Sequence, residues 1–170
     1  AQADYRAALA ATEQPALRAQ LLFRIGQCQA RLGQAVAAEQ SLTFALALDS
    51  TQSSAWLARG ELRLFEEYRF SNAIQDFSVG LRQRAATGQP LSTKYLTYRG
   101  LAYYKLQDLA QARLDYRQVL EANPKNGKVH FLLGRVAQQE GNAPAACEFF
   151  QRAVRLGYSY ADEARRQNCP

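Results

Sequence analysis

The sequence predicts an all-α protein built of stacked helical hairpins, and three observations predict it. Four glycines, Gly26, Gly60, Gly100 and Gly134, are separated by 34, 40 and 34 residues, a self-similarity that marks a repeat architecture. The same residue types recur at fixed offsets from them. Leu22, Trp56, Leu96 and His130 stand four before. Ala38, Ala73, Ala112 and Ala146 stand twelve or thirteen after, followed four residues on by Leu42, Phe77, Tyr116 and Phe150, and three further by Ala45, Gly80, Val119 and Ala153. Steps of three and four are helical on both sides of a mid-unit turn, and turn residues mark that point at Gly33, Gln107-Asp108 and Gly141-Asn142.

Residues 1–14 carry Tyr5, Ala8 and Leu9 at second-helix offsets and read as the back half of an earlier unit. The unit 19–52 turns at Gly33, and its second helix ends at Asp49-Ser50. The unit 53–84 has Trp56, Gly60, Ala73 and Phe77, with one extra residue in its turn. Ala85-Ala86-Thr87-Gly88-Gln89-Pro90 accounts for the longer glycine interval, so 85–92 is expected to be an inserted loop. The unit 93–126 closes at Asn123-Pro124, where proline cannot continue a helix. The unit 127–158 repeats the pattern, and 159–169 is expected to form a polar capping helix of the kind such stacks need at an end. Together, residues 1–170 read as one domain. Small residues at the glycine and alanine positions let paired helices approach, and the large residues fill the gaps.

On these residues the chain resembles the tetratricopeptide repeat proteins. The unit Thr93 to Asn126, with Gly100, Tyr103-Tyr104, Ala112, Tyr116 and the closing Asn123-Pro124, carries that pattern almost throughout. The resemblance implies a right-handed α-solenoid whose first helices line a concave face that commonly holds an extended or helical peptide. Carried over to this sequence, the open positions are three before the glycine, one after it, and four or five after it. They give Phe23, Gln27, Ala30 and Arg31, then Leu57, Glu61, Leu64 and Phe65. Thr97, Leu101, Tyr104 and Lys105 follow, and last Phe131, Arg135, Gln138 and Gln139, with Lys94 and Lys128 extending the rim. Chaperone-binding members hold an acidic C-terminus with a clamp of Lys and Asn; Phe23 and Gln27 stand where the first two clamp residues are expected. The partner implied is therefore a protein or peptide with apolar anchors and acidic flanks.

Arg59 and Arg99 each precede the unit glycine directly, and Asp76 and Asp115 lie as far beyond the turn as the arginines lie before it. They are expected to face each other as ion pairs within their hairpins, since a half-buried guanidinium needs a carboxylate. The two units with Ile25 and Leu133 in place of the arginine have Ser41 and Phe149 in place of the aspartate. Asp4 has the same offset and suggests a matching arginine on an upstream helix.

Cys28 is expected to be a buried thiol. Cys147 and Cys169 lie at similar distances on either side of the last connection, so antiparallel helices bring them level; a disulfide and two isolated thiols are the two readings. A disulfide places maturation in an oxidising compartment. An ending with one cysteine in the last repeat and one closing the cap is similar to small tetratricopeptide proteins of the bacterial envelope. That resemblance implies the periplasm or secretion, with the cytoplasm as the alternative. The chain has no methionine, and its start at Ala1-Gln2-Ala3 reads as a processed end or the edge of a longer chain, compatible with signal-peptide removal.

Composition narrows the function classes. With 48% hydrophobic and 21% charged residues and a mean hydropathy of −0.36, the chain is an ordinary globular one with no run to span a bilayer. Twenty-one basic against fifteen acidic residues give +6, of which +5 falls in residues 86–170 (twelve basic, seven acidic). The cations are scattered singly along helices, without an RNA-binding signature, so neither nucleic acid nor membrane insertion is expected. A single histidine, His130, and three cysteines cannot build a common zinc cage, and no cofactor or metal is expected. No Walker loop, dinucleotide glycine pattern or nucleophile elbow is present. His130 fills a large-residue packing slot, and Glu66-Glu67 reads as a solvated acidic tip. The reading is a non-enzymatic protein–protein interaction module, an adaptor within a larger assembly, that binds a partner segment on its concave face. The other class is a structural spacer or self-associating module with no groove ligand.

Overall fold

The computed structural model describes residues 1–66 and 68–169. Among the described residues there are ten helices and no strand. They are α1 (Gln2–Ala10), α2 (Pro15–Arg31), α3 (Ala35–Leu48), α4 (Ser53–Phe65), α5 (Phe70–Ala86), α6 (Thr93–Lys105), α7 (Leu109–Ala122), α8 (Gly127–Gln139), α9 (Ala143–Arg155) and α10 (Ala161–Asn168). The chain divides into two compact units, Ala1–Tyr95 and Leu96–Pro170. In the first, α2 pairs with α3 and α4 with α5, while α1 lies on α2 and α3 on α4. In the second, α8 pairs with α9, α7 lies on α8, and α10 covers α9. The fold class is therefore all-α, a solenoid of stacked helical hairpins.

Helix starts follow from local chemistry. Asp108, Asn126 and Asn142 precede α7, α8 and α9, and each side chain accepts the backbone N–H three residues on, at 3.1, 3.2 and 3.1 Å. These caps satisfy donors that a helix leaves orphaned. Pro15 and Pro144 sit in the first turns of α2 and α9, where the missing N–H costs nothing. α5 runs on through Ala86, so the loop expected from residue 85 begins at Thr87; Ala85 and Ala86 are strong helix formers, and the chain turns only at Gly88. Of the acidic pair expected at the α4–α5 turn, Glu66 is exposed at the end of α4, and Glu67 lies outside the described residues.

The repeat is a device for close approach. A Cβ on Gly26, Gly60, Gly100 or Gly134 would come within 2.9, 2.9, 2.6 and 2.5 Å of Leu42, Phe77, Tyr116 and Phe150 respectively. Each large side chain is fully buried against its glycine, which is why the small and large residues recur together. The hairpin turn itself needs a left-handed residue. Gly33 and Gly141 supply it at φ 71° and 74°, but Tyr68 and Gln107 hold φ 53° and 62° at the equivalent place, where a Cβ costs about 1–2 kcal/mol.

Candidate functional site

The glycine of each first helix faces its own second helix, and this fixes which stripe is open. Side chains three or four residues from it share its side of the helix. Phe23, Leu57 and Thr97, each three before the glycine, are accordingly buried, and so is Leu64, four after. This corrects the expectation that these four stand open on the first-helix face. Leu57 fills the space above Gly80, whose absent Cβ would lie 2.7 Å from it. Phe23 packs with Leu42, Ala45, Leu46 and Ala55. Phe131 is half-buried and shares its ring contacts with Phe150 and Tyr158, at 5.8 and 5.5 Å between centroids, so it belongs to the packing of α8 on α9 and its connection.

The open stripe runs through the positions six before, one after and five after the glycine. In the first unit it holds Arg31 and Phe65, which are exposed, and Gln27 and Glu61, which are half-exposed. Lys94 donates to Glu61 Oε2 at 2.9 Å, and its ammonium lies 5.0 Å from the Tyr95 ring centroid. In the second unit the stripe holds Leu101, Lys105, Arg135 and Gln139, with Tyr104 and Gln138 beside it and Lys128 exposed at its edge. Here the Tyr104 hydroxyl donates to Gln139 Oε1 at 2.9 Å, Gln139 Nε2 to Gln107 at 3.0 Å, and Gln138 Nε2 to Asn168 at 3.0 Å. The result is an exposed belt of amides and a phenol on α6, the turn after it, α8 and α10. The position two before the glycine completes the same stripe and was absent from the sequence reading. It carries Arg24, Tyr98 and Leu132, and a step of four from Lys94 to Tyr98 was the available signal.

Away from the open stripe, charge is buried. Arg59 donates twice to Asp76, Nε to Oδ2 at 3.0 Å and Nη2 to Oδ1 at 2.9 Å, and once to the Thr43 hydroxyl at 3.0 Å. Its guanidinium stacks 4.9 Å from the Trp56 ring centroid. Arg63 joins the same carboxylate at 2.9 Å and donates through Nε to Glu39 at 2.8 Å; Arg69 also pairs with Glu39. Partial burial opposes ionisation of Glu39, but hydrogen bonds from Arg69 and Arg63 hold its carboxyl below the ordinary glutamate value of 4.5. In the second unit Arg99 meets Asp115 bidentately at 2.9 and 2.7 Å, a bond that raises the guanidinium's proton affinity against the opposing effect of burial. The second arginine, Glu39 and Arg69 around Asp76 had no counterpart in the sequence reading.

Cys147 and Cys169 are bonded, with Cα atoms 5.1 Å apart, and tie the end of α10 to α9. Cys28 is a free thiol and half-buried, less enclosed than expected, because two residues from Gly26 it lies about 200° round α2 from the side that faces α3. His130 Nε2 donates to the Pro124 carbonyl at 3.0 Å and the ring packs 6.3 Å from that of Phe149, so the side chain closes the start of α8. Among the described residues no three His, Cys, Asp or Glu side chains gather as metal ligands. Among the described residues no helix is long and apolar enough to cross a membrane.

Residues 99–164 match the tetratricopeptide repeat family. Among solved structures, the crystal structure of MamA is 18% identical over 92% of this chain and 86% of its own, with a TM-score of 0.78. A tetratricopeptide repeat protein from Parabacteroides merdae ATCC 43184 is 23% identical, covering 96% of this chain and 62% of that one, with a TM-score of 0.83. The first tetratricopeptide domain of Spaghetti (RPAP3), solved bound to the HSP90 peptide SRMEEVD, is 24% identical over 72% of this chain and 93% of its own, at 0.64. At these identities the likeness is one of fold. With hairpins that repeat one glycine, alanine and large-residue framework, the chain has the fold of the tetratricopeptide repeat proteins, and its later repeats match that family over residues 99–164.

Proposed function

We propose that this chain is a non-enzymatic protein-interaction module that holds a segment of a partner on its first-helix face, as an adaptor within a larger assembly. The observation that carries the reading is the open stripe of the second unit. Leu101 supplies an apolar anchor, Tyr104 an amphipathic one, and Lys105 and Arg135 the positive charge. The Gln107, Gln138 and Gln139 amides can exchange their mutual hydrogen bonds for bonds to a peptide backbone at small net cost. Aromatic and Arg anchors inside a polar rim are what binding surfaces concentrate, and the charge favours acidic flanks on the partner. The similarly folded RPAP3 domain is bound to the HSP90 peptide SRMEEVD, which carries three acidic residues. Phe23 is buried here, so a chaperone tail held by a Lys–Asn clamp is not the partner chemistry this surface favours. The Cys147–Cys169 bond favours an oxidising compartment, the bacterial periplasm or the exterior, over the cytoplasm.

The test is affinity capture from the native extract with the wild type beside a variant carrying Leu101→Ala, Tyr104→Ala and Lys105→Glu, its helical content checked by circular dichroism. A protein held by the wild type and released by the variant supports the reading; equal capture contradicts it. One observation favours the alternative of a self-associating module. Val36, Phe44 and Leu48 form an exposed apolar line along α3, with Leu22 and Ala47 beside Phe44. That alternative requires mass to rise with concentration in sedimentation velocity and to stay monomeric in Phe44→Glu.

A further inference from the structure

The same place in two hairpin stacks is filled in one and open in the other. Counted from the unit glycine and the second-helix alanine, Glu39, Arg59, Arg63, Arg69 and Asp76 of the first unit correspond to Arg113, Leu133, Ala137, Asn142 and Phe149 of the second. In the first unit these side chains close the space among α3, α4 and α5 with their ionic network. In the second, Ala137 and Asn142 stand where two arginines stood, and a cavity of about 120 Å³ remains among α7, α8 and α9. Leu133, Ala137 and Phe149 line its apolar part, and Arg113, Arg117 and Glu140 its rim. Arg113 pairs with Glu140. Arg117 is exposed and has no ion-pair or hydrogen-bond partner among the described residues, so the rim carries one unmatched positive charge. At about 100° per residue, Leu133 and Ala137 lie on the opposite side of α8 from Gln138 and Gln139.

The geometry points to a second binding site here, for a protein segment that presents one apolar side chain next to a carboxylate. The space is near the ~150 Å³ of a cavity that admits benzene and well below the ~300 Å³ at which small-molecule sites begin; it takes a single side chain of leucine size. The neighbouring carboxylate goes to Arg117, as Glu39 goes to Arg63 and Arg69 in the first unit, in a charge-assisted hydrogen bond. The rim charge disfavours a basic segment, and an all-apolar one leaves the guanidinium unanswered. The site is independent of the first-helix face, which lies on the other side of α8.

The experiment is a nuclear magnetic resonance titration of the full chain with acetyl-Gly-Leu-Glu-Gly-amide, beside the same peptide with Gln for Glu. The expected result is saturable shifts of the Ala137, Asn142 and Ala145 amides and of the Arg117 side chain, with a dissociation constant on the order of millimolar for one side chain and one ion pair. Arg117→Gln weakens the glutamate peptide by roughly tenfold and leaves the glutamine peptide unchanged. Ala137→Leu fills the cavity and weakens both peptides. No saturable shift at ~10 mM peptide, equal affinity of the two peptides for the wild type, or shifts centred on Arg135, Gln138 and Gln139 would overturn the assignment.

Discussion

Asp76 is the residue whose loss should be felt most. It is 1% exposed, and its carboxylate accepts three guanidinium bonds, two from Arg59 and one from Arg63. Asp76→Ala leaves Arg59 with the Thr43 hydroxyl and the Trp56 ring, while Arg63 keeps Glu39. Removing one partner of a buried ion pair costs about 3–5 kcal/mol; with Arg63 still paired, the lower half of that range is expected. Asp115→Ala breaks a pair with one arginine whose side chain is 22% exposed, against 10% for Arg59, so water can replace part of the loss. About 1–2 kcal/mol is expected there. The assay is urea unfolding by circular dichroism together with amide hydrogen exchange, because stacked repeats can open in parts and a single global midpoint can hide where. Asp76→Ala should lose protection first in α4 and α5, and Asp115→Ala in α7. The double variant Arg59→Leu, Asp76→Phe installs the residues of the last repeat, Leu133 and Phe149, and should recover most of the loss. If Asp76→Ala costs less than Asp115→Ala, or leaves α4–α5 exchange unchanged, the reasoning is wrong.

Four further outcomes follow from the same contacts. Gln107→Gly relieves a side chain held at φ 62°, a gain of about 1–2 kcal/mol; after the greater unfolded-state freedom of glycine and the lost Gln139 bond are set against it, a net stabilisation of up to about 1 kcal/mol in urea unfolding is expected. The Tyr116 hydroxyl is buried with no hydrogen-bond partner among the described residues, and burial, then the Asp115 charge, pushes its pKa up, so Tyr116→Phe should be neutral or stabilising by about 1 kcal/mol. A clear destabilisation would reveal a bond the hydroxyl makes. Because the folded-state pKa of Glu39 is lowered, its contribution is present above the ordinary value and lost as pH falls through the folded one. Unfolding midpoints of the wild type and Glu39→Gln should therefore be separate above the ordinary value of 4.5 and converge as pH falls below it. Thiol titration of unreduced, denatured protein should find one reactive group, Cys28, and three after reduction.

The hairpin framework was legible because it is written locally and four times over. A glycine, an alanine and an aromatic or leucine are needed together wherever two helices approach this closely, so they recur together. The phase of the first helices was harder to read. Periodicity shows that positions share a stripe but not which stripe faces out, and Leu57, Thr97 and Phe23 are as plausible on one as on the other. The structure decides it through the glycine, which must face the second helix and draws its neighbours at three and four residues inward. Arg24 and Tyr98 fall on the open side by the same rule. Arg59 and Asp76 could be related by distance from a common turn, whereas Arg63, Glu39 and Arg69 meet from α4, α3 and the start of α5. Nothing in their local spacing marks such a meeting. The cavity beside Ala137 was invisible for a related reason: an alanine gives no sign that its counterpart one stack away is an arginine.

The measurement that bears most directly on the proposed function is calorimetric titration of the captured partner's binding segment into the wild type and into the Leu101→Ala, Tyr104→Ala, Lys105→Glu variant. Three substituted side chains at the centre of the stripe should weaken binding by at least about tenfold, with the unfolding curve unchanged. Equal affinity for the two proteins would contradict the first-helix face of the second unit as the binding surface.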